Sequence, residues 1–305
     1  MGATRARLPG GRLHFQHGPI DIVIGADGDP RAVEAAHDAA WRRFATILDE
    51  LVGELPALRR PVGEECPVEG VVARRMWHAC HPFRDRYVTP MAAVAGSVAQ
   101  ELVAAYAREG VARAWVNNGG DIAIHLAPGT SVTVGLYADL ARFDPVQAGA
   151  SLATDARFTV AWDQPVRGVA TSGWRGRSFS LGIADSVTVL AATAAQAGAA
   201  ATMIANAVDV DDPRIVRSPA RELRDDTDLG DLAVTVDVPP LGDAPARQAL
   251  AAGVARSREI RAAGLCHEAI LVCQHWVASA TQPAIRLASP GPGPEAAPPS
   301  LAIHA

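Results

Sequence analysis

Apolar and polar residues alternate at Leu13 to Phe15 and again at Ile20 to Ile24, with His17-Gly18-Pro19 between them, and this predicts an opening hairpin. After Asp29-Pro30 the period changes: Val33, Ala36, Ala40, Phe44, Ile47, Leu48 and Leu51 recur at spacings of three and four, which predicts a long helix that Pro56 ends. The same reading gives a helix over Met91 to Arg108 and strands near Ala112 to Val116, Ile122 to Leu126 and Val132 to Leu136. Further strands follow at Phe158 to Trp162, Phe179 to Ile183, Ser186 to Leu190 and Leu232 to Val238, with helices at Ala192 to Val208 and Ala244 to Ala262 and a closing strand over Cys266 to Trp276. Helix and strand blocks mixed with hairpins predict an α+β fold with mixed or antiparallel sheets and packed helices, rather than a regular parallel array. No composition break divides the chain before about residue 280, so residues 1–280 are expected as one domain. Residues 281–305 are expected as a disordered tail, since Ser289 to Ser300 is rich in Pro, Gly and Ala.

Chemistry enters at the polar step between two of these strands. Asn117, Asn118 and Asp121 supply short hydrogen-bonding arms, and Gly119 and Gly120 let the backbone adopt positive φ and approach a bound group. A tight hairpin turn is the other reading of the same residues. Downstream, Thr171-Ser172-Gly173 offers hydroxyls and amides to a ligand or is a simple turn, and Arg175 and Arg177 either bind an anion or sit on an exposed hairpin. Thr89 reads as a helix cap with Pro90 at the first helical position, and Met91 as a wall of any adjoining pocket.

Composition narrows the partners. The chain has 305 residues, 49% of them hydrophobic, and a net charge of -5 with no basic stripe, which disfavours nucleic acid. No apolar run is long enough for a membrane span and no h-region follows Arg5 and Arg7, so a cytoplasmic protein with no membrane partner is expected. All 28 basic residues are arginine, which removes lysine chemistry and leaves arginine to recognise any phosphate. Cys66, His78, Cys80 and His81 cluster in one segment and Cys266, His267, Cys273 and His275 in another. Their spacing is poor for structural zinc, and buried strand positions are the reading preferred for them.

Asn117-Asn118-Gly119-Gly120-Asp121-Ile122, then Ala170-Thr171-Ser172-Gly173, then Ser186-Val187-Thr188-Val189 before an alanine-rich helix together resemble the ApbE superfamily, the FAD:protein FMN transferases. The resemblance covers about Ala92 to Val208. It is nearest to a compact branch without established function, in which a stretch like Thr89 to Gly96 precedes the Gly-Gly-Asp strand. It implies a FAD or FMN site formed by Asn117, Asn118, Gly119, Gly120, Asp121, Thr171, Ser172, Gly173 and Met91. It also implies magnesium held by an aspartate and a threonine four apart on the helix after Ser-Val-Thr-Val, plus a backbone carbonyl.

Here the threonine corresponds to Thr202, but the aspartate position is Gly198. Asp185, or Asp209 beyond the helix, would have to supply the carboxylate. The lysine expected before the Gly-Gly-Asp strand is also absent at Ala95-Gly96, and a histidine-led loop is deleted between Ser178 and Asp185. Three readings follow: a flavin or nucleotide binder with weak or altered FMN transfer, an active magnesium-dependent transferase acting on Ser or Thr of an acceptor protein, and a structural or regulatory protein that keeps only the fold. A homodimer stays open.

Overall fold

The long first helix begins where its capping residue stands: the Asp29 carboxylate accepts the amides of Arg31 and Ala32 at 3.0 and 2.9 Å, and Pro30 occupies the first helical position. In the computed structural model, which describes residues 2–136, 156–282, 284–286 and 302–304, that helix is α1, Pro30–Gly53. It follows β1 (Thr4–Arg7), β2 (Leu13–His17) and β3 (Ile20–Gly28). Next come α2 (Leu55–Leu58), α3 (Val71–Cys80), α4 (Val94–Val103), β4 (Val111–Asn118), β5 (Asp121–Leu126) and β6 (Ser131–Leu136). The chain continues through β7 (Ala156–Ala161), β8 (Gly168–Ser172), β9 (Ser186–Ala191), α5 (Ala194–Ala205), β10 (Val216–Pro219) and α6 (Ala220–Leu223). It closes with β11 (Ala233–Asp237), α7 (Asp243–Ala262), β12 (Glu268–Cys273), β13 (Trp276–Ser279), β14 (Ile285–Arg286) and β15 (Ala302–His304).

The fold is α+β. Ten strands form one antiparallel sheet in the order β1-β2-β3-β4-β5-β8-β9-β12-β13-β14, with β15-β6-β7 and β10-β11 as smaller sheets. Strand alternation sends each central strand into two cores. Ala114, Val116, Ala123, Ala170, Val187 and Val189 join the core formed with the helices, whereas Trp115, Ile122, Ile124 and Val169 join Val132, Val134 and Val160 of the small sheet. Both faces of the middle of the sheet are therefore buried. No helix among the described residues is long and apolar enough to cross a membrane.

Four expectations need correction. The segment with His78 and Cys80 is the helix α3, not a strand: Val72, Ala73, Met76, Trp77 and Cys80 are its buried stripe, at helical spacings. The predicted strand Phe179 to Ile183 is irregular, because its backbone bonds lead elsewhere. Leu181 N–H goes to the Asn206 side chain at 2.9 Å, Ile183 N–H to the Val208 carbonyl at 2.8 Å, and the Ser180 carbonyl accepts from Thr235. Cys266 to Trp276 splits into β12 and β13 around Gln274 and His275, whose φ angles are 43° and 72°. Met91 to Arg108 is α4 flanked by 3-10 turns, Pro90–Ala93 and Ala104–Tyr106.

Within the expected tail, β14 pairs with β13 and β15 lies parallel to β6, while Ser289 to Ser300 lies outside the described residues.

Candidate functional site

Asn118 and Asp121 face each other across the end of the β4–β5 hairpin, and Gly119 and Gly120 close it with φ of 64° and 110°. The turn reading is therefore correct, and it does not compete with a binding role. Alternation puts Asn118 and Asp121 on the helix-covered face with Val116 and Ala123. Asn117, one step out of phase, instead accepts the Gly120 amide at 2.9 Å and holds the turn. The Asn118 amide donates to the Ala95 carbonyl at 3.1 Å, fixing the hairpin against the start of α4.

Asp121 is the most perturbed acid here. Its carboxyl borders a cavity, yet burial pushes it up to about 7, while hydrogen bonds from the backbone amides of Gly96 and Thr171 pull it down. Its Oδ2 faces α5: a Cβ on Gly198 would stand 2.9 Å from it and 3.3 Å from the Ala92 carbonyl oxygen. Gly198 is what allows the hairpin carboxyl and the helix to approach so closely.

These groups line a cavity of about 870 Å³. Asn118, Gly119, Asp121, Thr171, Ser172, Gly173, Met91 and Thr202 all border it, together with Gly198. Asn117 and Gly120 do not, and serve the turn. The remaining wall is largely apolar, with Leu48, Leu51, Leu58, Met76 and Val98 from the helices, and such a mixture suits a ligand with a flat or extended apolar body and a few polar anchors. Thr171 turns its hydroxyl to Thr188 at 3.0 Å, so toward the cavity its contribution is backbone.

The other side is closed by a segment that the sequence did not signal. Arg224 to Leu229 lies between α6 and β11. It is tied down by an ion pair from Arg59 to Asp226 at 3.0 Å, by the Thr89 hydroxyl on the Asp228 carboxylate, and by the Tyr87 hydroxyl on the Asp228 carbonyl. Thr89 stands at the N-cap of the 3-10 turn Pro90–Ala93, with Pro90 first as expected, but its side chain makes no capping bond and holds this strap instead. Arg224 lies over the Phe179 ring, 5.0 Å from its centroid, and both line the cavity with Arg177.

The proposed metal positions separate. Thr202 borders the cavity, but Asp185 lies outside its lining: it accepts the Gln274 amide at 2.6 Å and the Trp174 indole N–H at 3.3 Å, with Arg175 3.9 Å away. The Gln274 turn, with its positive φ, is what draws that carboxylate away. Asp209 is paired with Arg217. Among the described residues no group of three His, Cys, Asp or Glu side chains is placed to hold a metal ion, and all four cysteines are free.

The chain is similar to archaeal proteins. It is 38% identical over 224 residues to the UPF0280 protein of Methanopyrus kandleri, covering 71% of this chain and 83% of that one. It is 34% identical over 199 residues to a UPF0280 protein of Methanosarcina acetivorans, covering 65% and 72%, and 39% identical over 199 residues to one of Methanosphaerula palustris, covering 65% and 77%. A family model described as AbpE bacteria matches residues 5–283. The chain belongs to that family, and it is a relative of the archaeal UPF0280 proteins.

Proposed function

We propose that this chain binds a flavin nucleotide, FAD or FMN, or a related nucleotide, in the cavity between the β4–β5 hairpin, α4, α5 and the Arg224 to Leu229 strap, and that FMN transfer is weak or altered. One observation carries this reading: segments far apart in sequence, Asn118 to Asp121, Thr171 to Gly173 and Gly198 to Thr202, border one cavity of about 870 Å³ with an apolar wall. Their likeness to the ApbE superfamily adds the ligand class.

Magnesium does not fit the same residues. A hard cation wants several oxygen ligands, anionic ones first. The position expected to supply the aspartate is Gly198, and the carboxyl that faces it, Asp121, is raised to about 7 and already accepts two backbone amides. Asp185 and Asp209 are bonded elsewhere. The role of these residues is to bind: Asn118 and the Ser172 hydroxyl offer hydrogen bonds, the helix side chains offer apolar surface, and the strap covers the ligand.

Isothermal titration with FAD and FMN, in EDTA and in magnesium, followed by assay for AMP, tests this. Flavin binding without AMP release is the expected result. Magnesium-dependent AMP release would restore an active transferase acting on a partner protein, and no flavin binding in either buffer would reduce the chain to a structural or regulatory role.

A further inference from the structure

We infer that the cavity takes the phosphate of its ligand directly on Arg177 and Arg224, with no divalent cation between protein and phosphate. The inference deepens the nucleotide reading above and rests on it for the apolar half of the ligand only.

The two arginines come from different segments and meet at one cavity. Arg177 follows the β8 strand, and its Nη1 lies 3.0 Å from where a Cβ on Gly119 would stand, so its guanidinium covers the hairpin turn. Arg224 is held over Phe179 by the strap. Neither side chain has an ion-pair or hydrogen-bond partner among the described residues, whereas Arg59, on the same cavity, is paired with Asp226. A guanidinium has five donors in a planar fork matched to phosphate oxygens, and stacking on an aromatic ring holds it ready without using them.

Of the acids lining the cavity, Asp226 is paired with Arg59 and burial pushes Asp121 toward its neutral form, which leaves Asp228, held on the Thr89 hydroxyl, as the charged acid set against Arg177 and Arg224. A phosphate entering here meets two guanidinium groups with no ion-pair partner among the described residues.

The test is calorimetric titration with riboflavin, FMN and ADP, each in EDTA and in magnesium, on the full chain and on Arg177→Ala, Arg224→Ala and the milder Arg177→Gln, with thermal melts to confirm folding. FMN and ADP are expected to bind in EDTA, each alanine variant to weaken both by about tenfold, and riboflavin to be unaffected by the substitutions. FMN binding that needs magnesium, or that the variants leave unchanged, overturns the inference. If riboflavin and FMN bind equally and the variants bind both normally, the flavin reading survives and this one falls. If ADP binds in an arginine-dependent way while neither flavin binds, this inference stands and the flavin reading falls. If no probe binds, both fall.

Discussion

The carboxyl of Asp121 rests against the bare Cα of Gly198, close enough that a Cβ there would stand 2.9 Å from Oδ2. A side chain at 198 must push Asp121 off the amides of Gly96 and Thr171. Gly198→Ala should therefore cost about 1–3 kcal/mol, despite the gain of about 1 kcal/mol in helix propensity. In an Asp121→Ala background the same change should cost clearly less, because only the Ala92 carbonyl, 3.3 Å from the new Cβ, still crowds it. Urea denaturation of the four proteins measures this coupling, and additive effects would mean that the two residues do not interact.

Asp121 also makes stability depend on pH. Burial raises its carboxyl from an ordinary 3.8 to about 7, so folding favours the protonated form. The stability it contributes is full below the ordinary value and is lost as pH rises through the folded one. Wild type should lose up to about 4 kcal/mol relative to Asp121→Asn between acid and neutral pH, and the difference should level off above the folded value. Parallel stability curves for the two proteins would show that the carboxyl is not buried enough to hold its proton.

Much of this was legible in the sequence, and the failures outside α3 share a cause, partners far along the chain. Period and caps revealed α1, since Asp29, Pro30 and the apolar stripe are local signals, and strand alternation with Asn-Gly-Gly revealed the β4–β5 hairpin. The stripe of α3 is in the sequence too, but over ten residues it is short, and the alternation of His78, Cys80 and their neighbours also fits a buried strand. Phe179 to Ile183 looks like a strand by composition, yet Asn206 and the end of α5 take its backbone bonds. Thr89, Arg224 and Asp228 were illegible as a unit, because a contact across 139 positions leaves no periodic trace.

Asp185 now has a structural assignment that can be checked. Its carboxylate accepts the Gln274 amide at 2.6 Å within the β12–β13 turn and the Trp174 indole at 3.3 Å. Asp185→Ala should destabilise by about 2–3 kcal/mol, since it leaves a half-buried amide and indole without their charged acceptor. It should leave the EDTA-to-magnesium ratio of ligand affinity unchanged. A variant of normal stability that loses a magnesium effect would return Asp185 to the role of metal ligand.

The strap offers the last prediction, because one of its three attachments can be removed without changing the shape of a side chain. Thr89→Val keeps the shape of the side chain and removes the donor to Asp228, while the Tyr87 and Arg59 contacts remain. Global stability should fall by only about 1 kcal/mol. Amide exchange should speed up locally at Thr227 and Leu229, whose N–H groups bond within the strap, and stay slow in β4 and β5. Because Arg224 rides on the same segment, ligand should also dissociate faster, with little change in association rate. Uniformly faster exchange across the sheet would instead mean that Thr89 supports the whole fold, and unchanged exchange at Thr227 and Leu229 would mean that the other two contacts suffice to close the cavity.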